Sequence, residues 1–205
     1  MIESIKQILK TGLADKLKIH HSLYRLPCTS EYLEELISSI LAENGYINDW
    51  KPNRSHTISV DMTIEGGPSL SVKSGMFDVS KNTLTFSGSR LGKHETLPEM
   101  VNSVIVNKAD YYVCVSKTDQ DWSSTPALFD MKRYYMFVFP STALEYNSPW
   151  EKVESSRGGY KYAMSIDGMS ASIHPSLSHQ LWTTVSTDVI GMPDEIDIIG
   201  YNENI

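Results

Sequence analysis

The stretch TISVDMTIEGGPSLSVK, residues 57–73, decides the fold. In its first half Ile58, Val60, Met62 and Ile64 alternate with Thr57, Ser59, Asp61, Thr63 and Glu65. Gly66, Gly67 and Pro68 break the pattern as a turn, and Leu70 and Val72 then alternate with Ser69, Ser71 and Lys73. A period of two around a central turn predicts a β-hairpin with one apolar and one wholly polar face. With the turn centred on Gly67, Met62 meets Val72 and Ile64 meets Leu70. That register sets Asp61 opposite Lys73 and Thr63 opposite Ser71. Taken alone, such a pair is an exposed cross-strand ion pair worth roughly 0.2–1 kcal/mol.

Upstream of the hairpin the period is helical. Ile5, Ile8, Leu9 and Leu13 predict a short amphipathic helix over 3–18, and His20 and His21 suit its cationic end. Ser30 is a candidate cap for a second helix that runs to about Asn44, with Gly45 as its stop. Downstream, Thr83–Ser87 predicts a third strand. Thr96 and Glu99 have capping-box spacing for a helix to about Lys108. The apolar runs Tyr111–Val115 and Tyr134–Phe139 read as strands covered on both faces. Residues 117–133 read as loop. After a Pro/Ser/Gly-rich connection at 146–159, Tyr160–Ile166 and Met169–Ile173 flank Asp167-Gly168 as a second hairpin. A short helix over 176–186 and an acidic tail are expected to finish the chain. The fold class is therefore mixed α/β in one domain over 1–205, with a core at about 30–140 and a C-terminal subdomain at about 146–205. There is no GxGxxG, no P-loop and no GxSxG elbow.

The order helix, three strands, helix, strand, with Val60-Asp61 on the first hairpin strand and Ser71-Val72-Lys73 on the second, resembles the PD-(D/E)XK nucleases. Among these it is most similar to type II restriction endonucleases, over roughly residues 30–116. The resemblance implies an αβββαβ core with a mixed sheet, and Mg²⁺-dependent hydrolysis of double-stranded DNA. Asp61 and the Val72 carbonyl would be metal ligands, and Lys73 would orient water or stabilise charge. Ser71 stands where the family usually has Asp or Glu. Some restriction enzymes resemble this Ser-x-Lys pattern and draw the acid from elsewhere. Glu34, Glu35, Glu65, Glu95 and Glu99 are the open candidates for it. The roles follow chemical need, since Mg²⁺ takes oxygen ligands and retains waters. A metal also activates water and neutralises phosphate, and a fixed ammonium steadies the developing charge.

The 205 residues carry 18 Lys+Arg against 25 Asp+Glu, a formal charge of −7. This argues against a bulk electrostatic grip on nucleic acid. The excess is uneven, because Asp188–Ile205 has five acids and no Lys or Arg. Residues 51–100 hold six basic and five acidic residues. Within them Arg90, Lys93 and His94 cluster with Gly88 and Gly92 before a helix start. They are the candidate DNA contacts, to phosphate or a guanine edge. Lys132-Arg133 and the Arg157–Lys161 loop are weaker candidates. Trp182 and Leu181 read as core or dimer contacts. Any DNA contact should be local, salt-sensitive and centred on residues 73–94.

Two cysteines without a CxxC pair exclude the usual structural zinc site and suit a reducing, cytoplasmic setting. No stretch approaches the roughly 20 apolar residues of a membrane span. The expected activity is that of a homodimeric type II restriction enzyme on a short duplex site. A nicking, repair or junction-resolving nuclease, or a non-catalytic α/β binding module, are the alternatives.

Overall fold

The computed structural model describes residues 1–23, 28–51, 60–118, 133–156 and 158–198. The elements run α1 (Ile2–Leu23), α2 (Ser30–Glu43), β1 (Met62–Thr63), β2 (Ser69–Asp78), β3 (Thr83–Arg90), α3 (Leu97–Val106), β4 (Tyr111–Lys117) and β5 (Arg133–Pro140). They continue β6 (Glu151–Glu154), β7 (Tyr160–Ile166), β8 (Met169–His174), β9 (Gln180–Ser186), α4 (Thr187–Ile190) and β10 (Asp194–Asp197). The ten strands form one mixed sheet in the order β10-β5-β4-β2-β3-β9-β8-β7-β6, with β1 added to β2 outside that path. The mixed α/β class expected from the sequence is thus present. The β2–β4 pairing is parallel.

Alternation along the strands sorts side chains into two cores. Leu70, Val72, Val113, Val115, Tyr134, Met136 and Ile196 face α1 and α2. Phe77, Phe86, Tyr112, Cys114, Phe137 and Phe139 face the other way, with Met100 and Val104 of α3 and with Tyr146. The central strands β2, β4 and β5 therefore have apolar residues on both faces, as their continuous apolar runs require. On α1, Ile5, Leu9, Leu13 and Leu17 are each fully buried at a spacing of four. Gly12 permits close passage over α2, since a Cβ there would lie 2.6 Å from Ile40 Cγ2.

Several expectations change, among them the connection expected at 146–159, which contains strand β6 paired with β7. The helix expected over 176–186 is a 3₁₀ turn at Pro175–Leu177 followed by β9. Leu177, Leu181 and Val185 have helical i+4 spacing. Four is also an even number, so the same residues satisfy a period of two, and β-branched Thr183, Thr184 and Val185 favour the strand. A different, four-residue helix follows at Thr187–Ile190. The acidic tail is not a free tail at 194–197, because β10 pairs with β5 and buries Ile196 to 1 % exposure. Its acids meet cations: Lys6 and Lys10 at 3.1 and 3.0 Å from Asp194, and Arg133 at 2.7 Å from both Glu195 and Asp197. Finally, Thr29 is the N-cap residue of α2, and the Ser30 side chain serves elsewhere. The expected readings of Thr57–Ser59, of Lys132, of Arg157 and of 199–205 lie outside the described residues, as does most of 117–133.

Cys28 and Cys114 are buried and unpaired, and burial pushes each thiol up to about 12. The reactive thiolate is therefore absent near neutral pH. The folded protein is expected to resist a thiol-labelling reagent at pH 8 and to take up two equivalents once unfolded. Rapid labelling of the native form would contradict this burial.

No helix among the described residues is long and apolar enough to cross a membrane.

Candidate active site at the open edge of β2

The site arises where one strand changes partners. One edge of β2 is paired along Leu70–Met76 with β4. On the other edge β1 covers only Ser69–Leu70, and β3 covers only Gly75–Asp78. After the Gly75–Phe86 rung β3 leaves β2 and stays with β9, through Ser87–Trp182 and Arg90–Gln180, with a register shift between Ser87 and Arg90. A Cβ on Gly75 would lie 2.9 Å from the Thr85 carbonyl oxygen, so only glycine fits this fork without displacing backbone. Between the two partial partners the edge at 71–74 has no strand partner among the described residues.

Unpaired backbone groups at a half-buried edge must find other partners. Here side chains complete the ladder. Asp61 N–H donates to the Leu70 carbonyl at 2.9 Å, and its own Oδ2 accepts from Val72 N–H at 2.7 Å. One step further, Ser30 Oγ accepts from Ser74 N–H at 3.1 Å and lies 2.8 Å from Ser74 Oγ. The Val72 carbonyl accepts from Lys73 Nζ at 2.9 Å.

The register differs from the sequence expectation by two residues. Met62 pairs with Leu70, and Thr63 with Ser69. Moving by two preserves every apolar pairing and both faces, so hydrophobic patterning cannot distinguish the two registers. Asp61 is therefore not opposite Lys73 but level with Ser71. Its carboxylate still reaches both: Lys73 Nζ donates to Asp61 Oδ2 at 2.9 Å and Ser71 Oγ at 3.2 Å. Three donors thus converge on Oδ2, while Oδ1 accepts from none among the described residues. The Asp61 and Lys73 side chains are 18 % and 15 % exposed, so this pair is less solvated than a surface ion pair. Ser71 is fully buried and acts as a clamp on the carboxylate.

Beside the pair, burial raises Tyr112 well above its usual value, with the Asp61 charge adding to the effect. Burial likewise lifts Cys114, the β4 partner of Lys73 in register, against the opposing Lys73 charge. Both neighbours stay neutral at physiological pH.

The candidate acids separate by position. Glu65 is exposed in the turn, four residues from Asp61 and so roughly 13 Å along the strand direction. Glu95 is exposed. Glu99 Oε2 accepts from Glu95 N–H and Thr96 N–H, which completes the capping box of α3. Those two backbone bonds hold its carboxyl below the usual range. Glu35 is exposed, and Glu34 is half-buried. Glu34 lies on one stripe of α2 with Ser30 and Ser38. Ser30 is tied to Ser74, and Ser38 donates to Asn48 at 2.8 Å, which bridges to Ile64. Glu34 lies between these two anchors on the stripe. Among the described residues no three His, Cys, Asp or Glu side chains form a metal-sized group.

The expected nucleic-acid contacts lie at and after the diverging end of β3. Arg90 ends β3, is exposed, and points Nε at Gln180 Oε1 3.4 Å away. Lys93 is exposed, and His94 is half-buried with its Nε2 lacking a hydrogen-bond partner. The start of α3 is not an open anion site, because Glu99 already occupies it. Trp182 stands on β9 across from Ser87, 37 % exposed, while Leu181 is core. Ser30 was not legible as a site residue, because a serine before a helical pattern reads as a cap.

Comparison with protein-family models, curated proteins and solved structures returns no match.

Proposed function

We propose that the chain is a Mg²⁺-dependent endonuclease that hydrolyses phosphodiester bonds of double-stranded DNA at a short specific site, in the manner of a type II restriction enzyme. The observation that carries this reading is the open edge of β2. There a clamped carboxylate and a backbone carbonyl share one ammonium. The order α2, β1–β3, α3, β4 supports it by its likeness to the αβββαβ core.

The donor set fits the metal. Asp61 and the Val72 carbonyl supply hard oxygen ligands, and Mg²⁺ keeps several waters and takes few carboxylates. A cation, the Lys73 ammonium, already rests 2.9 Å from both oxygens, which marks the position as one that attracts positive charge. Glu34 is the additional acid favoured by its place on α2. When bound, the metal would lower the pKa of a bound water and neutralise phosphate charge. Ser71 Oγ and Val72 N–H hold the carboxylate in place through Oδ2. Lys73 supplies a positive charge for the phosphate oxygens as negative charge builds on them. Arg90 and Lys93, across the opening on the β3 side, bind the DNA backbone or a base edge. A two-fold duplex site suits a homodimer.

Plasmid incubated with the protein and Mg²⁺ is expected to yield discrete linear fragments, and a chelator is expected to stop the reaction. Glu34→Gln should slow it while Glu65→Gln leaves it unchanged. Nicked circles alone would point to a nicking or junction-resolving enzyme. Intact plasmid, with no binding of metal or DNA, would leave a non-catalytic α/β module.

A further inference from the structure

One ammonium bridges the two oxygens on which the proposed metal site depends. Lys73 Nζ lies 2.9 Å from Asp61 Oδ2 and 2.9 Å from the Val72 carbonyl oxygen. Both side chains of the ion pair are more than four-fifths buried, so a second positive charge on the same oxygens would be poorly screened from the first.

The rest of the site is arranged so that Lys73 can leave. Asp61 Oδ2 keeps Val72 N–H at 2.7 Å and Ser71 Oγ at 3.2 Å when the ammonium departs, so the carboxylate stays oriented. The Val72 carbonyl, whose edge has no strand partner among the described residues, is released by the same movement. Lysine is suited to this, being a compact charge on a flexible four-carbon stem. Close by, β3 parts from β2 beyond the Gly75–Phe86 rung.

We propose that Lys73 is the resident counter-ion of the metal-free site, and that a divalent cation is admitted as Lys73 Nζ withdraws from Asp61 Oδ2 and Val72 O. A DNA phosphate favours that exchange by offering the ammonium a replacement anion. Metal and DNA therefore strengthen each other's binding by the same factor, as linkage requires. The inference rests on the metal-dependent reading above and adds to it a device that keeps the site metal-poor until substrate is present.

The test uses Mn²⁺ alone, titrated into the full-length protein without DNA, with free Mn²⁺ counted by its paramagnetic resonance signal. Lys73→Met keeps the stem and removes the charge, and Lys73→Gln keeps a polar end. Both are expected to bind one Mn²⁺ about tenfold or more tightly than wild type, within the range of coupling between contacting charges. Mn²⁺ should also raise the melting temperature of both variants more than that of wild type. Asp61→Asn added to Lys73→Met should remove the site. If both Lys73 variants bind Mn²⁺ no more tightly than wild type, the exchange is overturned and the metal site stands. If neither wild type nor any variant takes up Mn²⁺, the exchange and the metal-dependent reading both fall.

Discussion

Asp61→Asn is expected to abolish cleavage while leaving the fold close to its normal stability, whereas Asp61→Ala is expected to damage both. The difference follows from what Oδ2 does. It accepts Val72 N–H at 2.7 Å, a bond that elsewhere in a sheet a neighbouring strand would accept. Alanine leaves that backbone donor and the Lys73 ammonium without their shared acceptor in a half-buried place. The unsatisfied donor alone costs about 1–3 kcal/mol. An asparagine carbonyl oxygen still accepts Val72 N–H, but it brings no negative charge and a poor metal ligand. Cleavage should fall by at least ~10²-fold, the scale for removing one electrostatic group from a hydrolytic site. The measurements are the rate of supercoiled plasmid loss and a denaturant melt for each variant. An Asn variant that cuts at the wild-type rate would remove Asp61 from the mechanism.

The hairpin shows what the sequence could and could not specify. Alternation along 57–73 sorted Asp61, Ser71 and Lys73 onto one face, and they do meet there. It could not set the register, because every shift by an even number leaves the faces unchanged. The deciding interactions are non-local. Asn48 bridges to Ile64, Asp49 N–H donates to the Thr63 carbonyl, and Ser30 takes the Ser74 N–H. None of these has a local sequence signal. The capping box at Thr96 and Glu99 was legible because both partners lie within one helical turn. Its consequence, that Glu99 fills the anion-favouring helix start and is thereby committed as an acid, needed the bonds themselves. Ser30 illustrates the same limit, since its residue type fits a cap and its actual partner is 44 residues away. At the C-terminal end the acids of 194–197 read as solvated surface. They became part of the sheet because Ile196 among them completes the core under α1.

The site also depends on residues that carry no chemistry. An edge that is paired at both ends and, among the described residues, open in the middle needs two strands to approach β2 from the same side and one of them to turn away. On the β1 side the sequence supplies a short strand that ends within two residues of Asp61. On the β3 side it supplies Gly75, where the strands touch, and a bulge beyond Phe86, where they part. The Gln180 side chain donates to the Gly88 carbonyl and holds the departing end of β3 against β9. The groups of the proposed site are thus placed where the sheet, among the described residues, is interrupted.

Phe86→Ala is expected to have the largest effect on stability and to weaken cleavage indirectly. Phe86 forms the last rung with Gly75 before the strands diverge, and its side chain is 1 % exposed. Its ring lies 5.6 Å from that of Tyr112 and 6.5 Å from that of Phe139, which themselves stack at 5.5 Å. Removing the ring opens a cavity below the fork, at a cost of about 3–5 kcal/mol for a buried Phe→Ala change. Domains of ordinary stability hold about 5–15 kcal/mol, so the variant should fold at room temperature yet melt markedly lower. At ~2–4 °C per kcal/mol for a chain of this size the shift is roughly 6–20 °C. Phe86→Leu retains most of the volume and should shift much less. Cleavage measured well below the melting point should still fall in the Ala variant, because β3 loses the anchor that fixes where it leaves β2. That loss should exceed any change in Mn²⁺ affinity, since Asp61, Ser71 and Lys73 are held by bonds between Asp61 and β2 that the ring does not make. A melting point within about 2 °C of wild type, less than the shift from a single kcal/mol at the upper end of the range, would show that the ring does not carry the packing below the fork.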